Sequence, residues 1–264
     1  DPGTPLDDPG IQPSDPGQTD LPDWQDNPCT GIYTGLCELS GQALVTELCH
    51  LVKDHYNGVS YDKAGDLIKE DIDNYGGKVW EIYVGEWVKN GSGLNIEHTW
   101  PQSKGAEGQA KSDIFHLFPS WPSYNSPRGN LPFGEVVVQD WPDELLGDPT
   151  CDDFFTVQPS GCLSIRGKDA QNVKVFEPRD GHKGDAARAV FYFSLRYGSN
   201  CKVKSLKVFD ESHPAVTETV MKAWNRLDPP DTREMQRNDR VEDVQNMRNP
   251  FIDHPEFIDR ISFL

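Results

Sequence analysis

Residues 95–134 constrain this chain more than any other stretch, because turn-forming prolines and glycines recur there among chemically reactive side chains. A Glu-His pair at 97–98, a second histidine at 116 and an arginine at 128 lie at irregular spacing. Apolar residues such as Ile96, Trp100 and Phe118 flank them. Polar groups held between apolar anchors in this way are typical of a functional site and not of an ordinary surface.

Length and hydropathy limit the class of protein. A chain of 264 residues holds one large domain or two small ones, with a substantial core. No apolar run approaches the roughly 18 residues of a membrane helix, so no membrane segment is expected. The chain begins at Asp1 without a methionine, which a removed signal peptide or a trimmed sequence would both explain.

The six cysteines, at positions 29, 37, 49, 151, 162 and 201, contain no Cys-x-x-Cys pair. Zinc ribbons and thioredoxin-like redox motifs are therefore poor interpretations. An even count at wide spacing favours three disulfides in an oxidising compartment, so a secreted or periplasmic location is expected. The alternative is six buried thiols in a cytosolic protein.

The formal charge of −18 argues against a nucleic-acid partner, because affinity for phosphates is largely electrostatic. The charge is unevenly distributed, however. Residues 1–28 carry seven aspartates and no lysine or arginine, whereas residues 163–204 carry nine basic and four acidic side chains. A local positive face and a solvated surface of mixed charge are both compatible with this segment.

The periodicity of the remaining chain predicts an α+β fold, mainly helical, in a single domain with short strands. Residues 1–28, rich in Asp, Pro and Gly, are predicted to form a disordered acidic tail or linker, and residues 29–264 the folded domain. Helices are predicted over 40–55, 61–72, 184–197, 215–227 and 232–247. Strands are predicted over 80–88, 136–138, 163–165 and 173–176, with an Asn-Gly turn at 90–91.

The chemistry of the central stretch suggests a metal-assisted hydrolase. Glu97 and Asn125 are hard oxygen donors, which suit Mg²⁺ or Ca²⁺ better than zinc. His98 is the neighbouring group best able to take a proton from water near neutral pH. If Glu97 and His98 lie on a strand, their side chains point to opposite faces and flank one substrate group, as in-line hydrolysis of a phosphodiester requires.

Four blocks of sequence, in this order, resemble the bacterial endonuclease I family. They are Asn-Ile-Glu-His-Thr-Trp-Pro-Gln-Ser at 95–103, His-Leu-Phe-Pro at 116–119 with Asn-x-x-Arg-x-Asn at 125–130, the region 176–192, and Arg-Asn-Pro-Phe-Ile-Asp-His-Pro-Glu at 248–256. The resemblance covers most of residues 40–264. It implies a secreted or periplasmic nuclease with a ββα-metal (His-Me finger) core.

The resemblance also implies roles for individual residues. His98 would be the general base, and Glu97 and Asn125 would hold a single Mg²⁺, with Ca²⁺ or Mn²⁺ as substitutes. The products would be fragments with 5′-phosphates. The substrate would be DNA, with RNA as a second candidate, cleaved without sequence specificity through contacts to phosphates by a monomer.

The remaining candidate residues are secondary. Arg128 is assigned to the catalytic set and Arg188 to phosphate contact, with a structural ion pair as the alternative for both. His116 is expected to hydrogen-bond behind the site rather than to catalyse. The phosphate-binding arginine that some family members place between the motif halves has no match here, where Lys104 and Lys111 are the candidates.

Two other functions are compatible with parts of the sequence. One is a catalytically silent module that binds nucleic acid or extracellular matrix, although it would not need Glu97, His98 and Asn125 together. The other is a secreted zinc hydrolase that uses the histidines, although the chain contains no His-Glu-x-x-His motif.

Overall fold

A computed structural model describes residues 29–54, 56–140, 164–198, 200–203 and 214–262. The tail predicted over residues 1–28 lies outside this part of the chain. The helices are α1 (Gly41–Lys53), α2 (Tyr61–Leu67), α3 (Pro122–Arg128), α4 (Asp180–Phe193), α5 (Pro214–Leu227), α6 (Thr232–Gln245), α7 (Pro250–Asp253) and α8 (Phe257–Arg260). The strands are β1 (Asn74–Tyr75), β2 (Lys78–Glu81), β3 (Glu86–Lys89), β4 (Asn95–His98), β5 (Leu117–Ser120), β6 (Val138–Gln139), β7 (Ile165–Lys168) and β8 (Lys174–Glu177).

The strands form three small antiparallel sheets, ordered β1-β2-β3, β4-β5 and β6-β7-β8. Helices and helical turns make up about half of the residues that the structure describes, so the α+β class predicted from the sequence is confirmed. None of the described helices has both the length and the apolar character needed to cross a membrane.

The predicted helices are found close to their predicted bounds. In α1, the residues at helical spacing, Leu44, Val45, Leu48 and Val52, are fully buried. The helix predicted over 61–72 begins with Ser60 accepting a hydrogen bond from the Lys63 N–H, and it continues past α2 as a π-helical turn to residue 72. The helix predicted over 184–197 begins earlier, at residue 180.

The strand predicted over 80–88 is wrong, because the chain reverses in its middle. A turn at residues 82–85 separates β2 from β3, and these two strands pair with each other. The Glu81 carboxylate accepts the Val84 N–H at 2.6 Å and the Trp121 N–H at 3.0 Å, and Gly85 takes a φ of +81°. Backbone capture by a buried carboxylate therefore overrides the alternating pattern.

Helix α4 lies at the centre of the core, with every residue from 182 to 193 buried. It packs against α5, and the π-helical turn that continues it over Ser194–Gly198 contacts α1. Its apolar residues, such as Val190 and Phe191, belong to the hydrophobic core. Its charged residues are buried as well and must be neutralised by partners.

The burial of charged residues also determines how much positive charge segment 163–204 presents at the surface. Four of the nine basic residues of segment 163–204 are buried: Arg179, Lys183, Arg188 and Arg196. Three of them form ion pairs, with Glu177, Glu234 and Asp113. Half of the eight described basic residues of this segment therefore lie inside the protein, and the other half remain at least partly exposed; Lys204 lies outside the described residues.

Two disulfides are formed, Cys29–Cys37 and Cys49–Cys201, with Cα–Cα distances of 5.7 and 5.3 Å. The second joins α1 to the segment after α4, across 152 residues of sequence. Cys151 and Cys162, the remaining pair in the prediction of three disulfides, lie outside the described residues.

Candidate active site

Strands β4 and β5 form the frame of the site. Glu97 pairs across the sheet with Phe118, and His98, the last residue of β4, pairs with Leu117. The 18 residues between the strands form three short 3-10 turns that fold back over His98. Proline and glycine favour turns, so the connection between β4 and β5 consists of short turns and contains no long helix or strand.

The contacts of His98 fix which of its ring nitrogens is basic. Nε2 lies 2.9 Å from the carbonyl oxygen of Lys111. A carbonyl can only accept, so Nε2 carries the ring proton and Nδ1 keeps its lone pair. Burial, with a smaller effect of the neighbouring His116 ring, lowers the pKa of His98 to about 3, so the imidazole is neutral at ordinary pH.

Two further side chains enclose the imidazole. Tyr61 of α2 stacks on its face, with ring centroids 5.3 Å apart. The Gln102 amide places Nε2 3.4 Å from Nδ1 of His98, where it can donate a long hydrogen bond. The basic nitrogen therefore faces an uncharged, exposed amide.

Glu97 is buried, and its carboxylate contacts different side chains from those around His98. Its Oε1 accepts a hydrogen bond from the Tyr83 hydroxyl at 3.0 Å and lies 2.9 Å from Nε of Arg128. Burial raises the pKa of Glu97 to about 7, although Arg128, Tyr83 and the backbone N–H of His98 each lower it. Glu97 and His98 share none of these hydrogen-bonding side chains, which agrees with alternation along β4.

Asn125 reaches β4 from helix α3. Its Nδ2 donates to Oδ1 of Asn95 at 3.0 Å and to the carbonyl of Ile96 at 3.3 Å. Ile96 directly precedes Glu97 on the strand. The amide nitrogen is thus held against β4, which leaves Oδ1 as the acceptor of this side chain.

The sequence of the chain matches the Endonuclease I family over residues 40–256, a span that contains Glu97, His98 and Asn125. The chain belongs to the endonuclease I family. Members of this family are nucleases, so the chain is a hydrolase of nucleic acid and not a silent binding module.

Several secreted nucleases are similar to this endonuclease I chain. An extracellular ribonuclease of Bacillus amyloliquefaciens is 33% identical over 239 residues, covering 84% of this chain and 74% of that protein. An extracellular ribonuclease of Bacillus subtilis (strain 168) is 31% identical, covering 87% and 77%. An extracellular deoxyribonuclease of Aeromonas hydrophila is 27% identical, covering 75% and 79%.

The two arginines that the sequence singled out are both fully buried. Arg128 donates to the carbonyls of Gly129 and Thr99, each at 2.7 Å, in addition to its ion pair with Glu97. Arg188 lies in the core with Glu234, 2.5 Å away, and Asp185, 3.2 Å away. The guanidinium of Arg188 is thus fully buried in the kind of ion pair that was the alternative to a phosphate contact, and its role stays a prediction.

The other three candidates differ in accessibility. His116 is fully buried, with its ring 5.5 Å from that of His98 and its Nε2 2.6 Å from the Ala110 carbonyl. Burial lowers the pKa of His116 to about 4. Lys104 is exposed, and the Lys111 ammonium lies 4.9 Å over the Tyr61 ring. The two lysines are thus the accessible cations among these candidates.

The residues present fit a hard divalent cation. Glu97 offers a buried carboxylate whose side-chain contacts both fall on Oε1, and Asn125 offers an amide oxygen. So few protein ligands suit Mg²⁺, which keeps several waters. Among the described residues, the group with zinc-like spacing is Cys29, Cys37 and His254, but its cysteines form a disulfide. This leaves the zinc hydrolase without a described site.

Sequence reasoning missed several residues of the site. Tyr61, Tyr83 and Asn95 contact His98, Glu97 and Asn125 across 14 to 37 positions of sequence, and no local pattern indicates such contacts. Gln102 lies inside the first motif, so its proximity to the base could have been suspected from spacing alone.

Proposed function

We propose that this endonuclease I chain is a secreted or periplasmic, Mg²⁺-dependent endonuclease that cleaves DNA and RNA without sequence specificity. The observation that supports it most strongly is the tautomer of His98: a main-chain carbonyl holds the proton on Nε2 and leaves Nδ1 basic. Extracellular location is supported by the relatives, and both substrates are supported because the relatives include ribonucleases and deoxyribonucleases.

In the proposed reaction, Nδ1 of His98 takes a proton from a water molecule as its oxygen attacks phosphorus. The bond from phosphorus to the 3′ oxygen breaks, and the 5′-phosphate remains on the downstream fragment. Glu97 and Asn125 would hold the single Mg²⁺, which supplies positive charge for the developing negative charge on phosphate and leaving group. The Arg128 guanidinium, through its ion pair with Oε1, holds the Glu97 carboxylate in place.

A water nucleophile makes the 2′-hydroxyl unnecessary, and this allows a sharp test. Cleavage of matched RNA and DNA oligonucleotides should give 5′-phosphates and 3′-hydroxyls from both. A 2′,3′-cyclic phosphate from RNA would show attack by the ribose hydroxyl and would contradict the proposal. EDTA should abolish cleavage, and Mg²⁺ should restore it.

The role of His98 is tested by His98→Ala. Loss of a general base should lower kcat by about two to four decades with the fold intact by circular dichroism. His50→Ala is a suitable control, because His50 is exposed and belongs to none of the motifs. Near wild-type nicking of plasmid by His98→Ala would remove this residue from the mechanism.

A further inference from the structure

The side chain of Gln102 is placed by a rigid turn at the basic nitrogen of His98. Gln102 begins a 3-10 turn directly after Pro101. The far end of the turn is fixed, because the Trp100 indole donates to the Lys104 carbonyl at 3.0 Å. Trp100 itself stacks on Phe193 of α4, with ring centroids 4.4 Å apart. The backbone of Gln102 is therefore tied to the core.

The Gln102 side chain, by contrast, is lightly held. It is exposed, and the contact of its Nε2 with Nδ1 of His98 is long, at 3.4 Å. A carboxamide carries a donor and an acceptor on the same carbon, so half a turn about its last bond exchanges Nε2 for Oε1. With Nε2 towards His98, the amide donates to Nδ1. With Oε1 towards His98, two acceptors, Oε1 and Nδ1, face each other.

We propose that Gln102 is a positioning residue for the attacking water of the reaction proposed above. Two acceptors, Oε1 of Gln102 and Nδ1 of His98, can be bridged by a water molecule once the exposed Gln102 side chain swings outward from the present 3.4 Å to a separation of about 4.5 Å. The water donates one proton to each, which leaves an oxygen lone pair for phosphorus. The proton on the Nδ1 side moves to His98 as the P–O bond forms, the bond to the 3′ oxygen breaks, and the leaving oxygen takes a proton from solvent. Gln102 gains and loses none.

The inference rests on the proposed function, and its test is a comparison of variants with wild type and His98→Ala. Gln102→Met keeps the length of the side chain and removes both polar atoms. It should lower kcat about tenfold, the value of one hydrogen bond in the transition state, with KM changed less than about twofold. Gln102→Glu keeps an acceptor, so its kcat should stay within about threefold of wild type while repulsion of phosphate raises KM.

Gln109→Met is the matched control, because Gln109 is an exposed glutamine of the next 3-10 turn, and none of its described contacts involves His98. It should leave both constants unchanged. Wild-type kcat in Gln102→Met, or a rise in its KM alone, would overturn the positioning role. So would a kcat for Gln102→Glu as low as that of Gln102→Met. If the wild type itself does not cleave, the proposed function fails; if it cleaves and His98→Ala does not, only the role of Gln102 is at stake.

Discussion

The buried carboxylate of Glu97 predicts a competition between protons and Mg²⁺ that sets the acidic limb of activity. Its pKa of about 7 lies about 2.5 above the ordinary value of 4.5, which corresponds to about 3 kcal/mol. The folded protein therefore binds a proton between pH 4.5 and 7 that the unfolded chain does not. Without a cation, the contribution of Glu97 to stability falls as pH rises through this window.

A cation bound by Glu97 must displace that proton, so the two equilibria are linked. Cleavage of a fluorescent oligonucleotide should be measured from pH 5 to 9 at Mg²⁺ concentrations from below to far above the Kd measured at the alkaline end. Below that Kd the midpoint of the acidic limb should stay near 7, and above it the midpoint should fall by about one pH unit for each tenfold rise in Mg²⁺. His98 adds nothing in this range, since burial holds its pKa far below it.

The refuting result is a midpoint near 6.5 that does not move with Mg²⁺, which would assign the limb to an imidazole in contact with water. A second measurement needs no substrate. Mg²⁺ should raise the Tm more at pH 8 than at pH 5.5, and Glu97→Gln should lose this difference. Glu107→Gln, which removes an exposed carboxylate from the loop over the site, should retain it.

Three other perturbations test the buried charges, the disulfides and the lysines. Arg188→Met should cost about 3–5 kcal/mol of stability with kcat per folded molecule unchanged, because it strands buried carboxylates; normal stability with reduced kcat would contradict the structural role. Cys201→Ser opens a loop of 152 residues and Cys37→Ser one of 8, so in denaturant titrations they should lose about 5 and about 2.5 kcal/mol, and equal losses would contradict the loop-entropy argument. If Lys104 and Lys111 are the main phosphate contacts, binding of duplex DNA to an inactive variant should vary with log salt at a slope of about −1.8; a slope several times steeper would point to other cations.

The catalytic candidates on β4 could be predicted from the sequence because they are adjacent residues of one short motif. Glu97 and His98 are neighbours, and strand geometry alone separates their side chains. The helices were predictable for a similar reason: the apolar spacing of α1 and α5 is a property of adjacent turns. Asn125 is singled out by its oxygen donor, the family resemblance implies that it shares a metal with Glu97, and its approach to β4 depends on α3.

What the sequence did not indicate depends on contacts between distant residues. Glu81, whose carboxylate accepts the Val84 N–H in the turn at 82–85, is buried where it also accepts the backbone N–H of Trp121, 40 positions away. The burial of Arg188 needs Glu234, 46 positions away. Counting charges in segment 163–204 cannot distinguish an interior ion pair from an exposed cation. Roles of individual site residues stay predictions until the variants above are measured.

One contact of His98 has a consequence for how the protein tolerates change. The oxygen that orients the imidazole belongs to the main chain of Lys111, so no replacement of that side chain by another ordinary residue deletes it. Substitutions at position 111 can therefore change the charge near the substrate, while the ring proton of His98 stays on Nε2. Only an alteration in the path of the backbone, such as a deletion within the preceding turn, would exchange the two nitrogens of the ring.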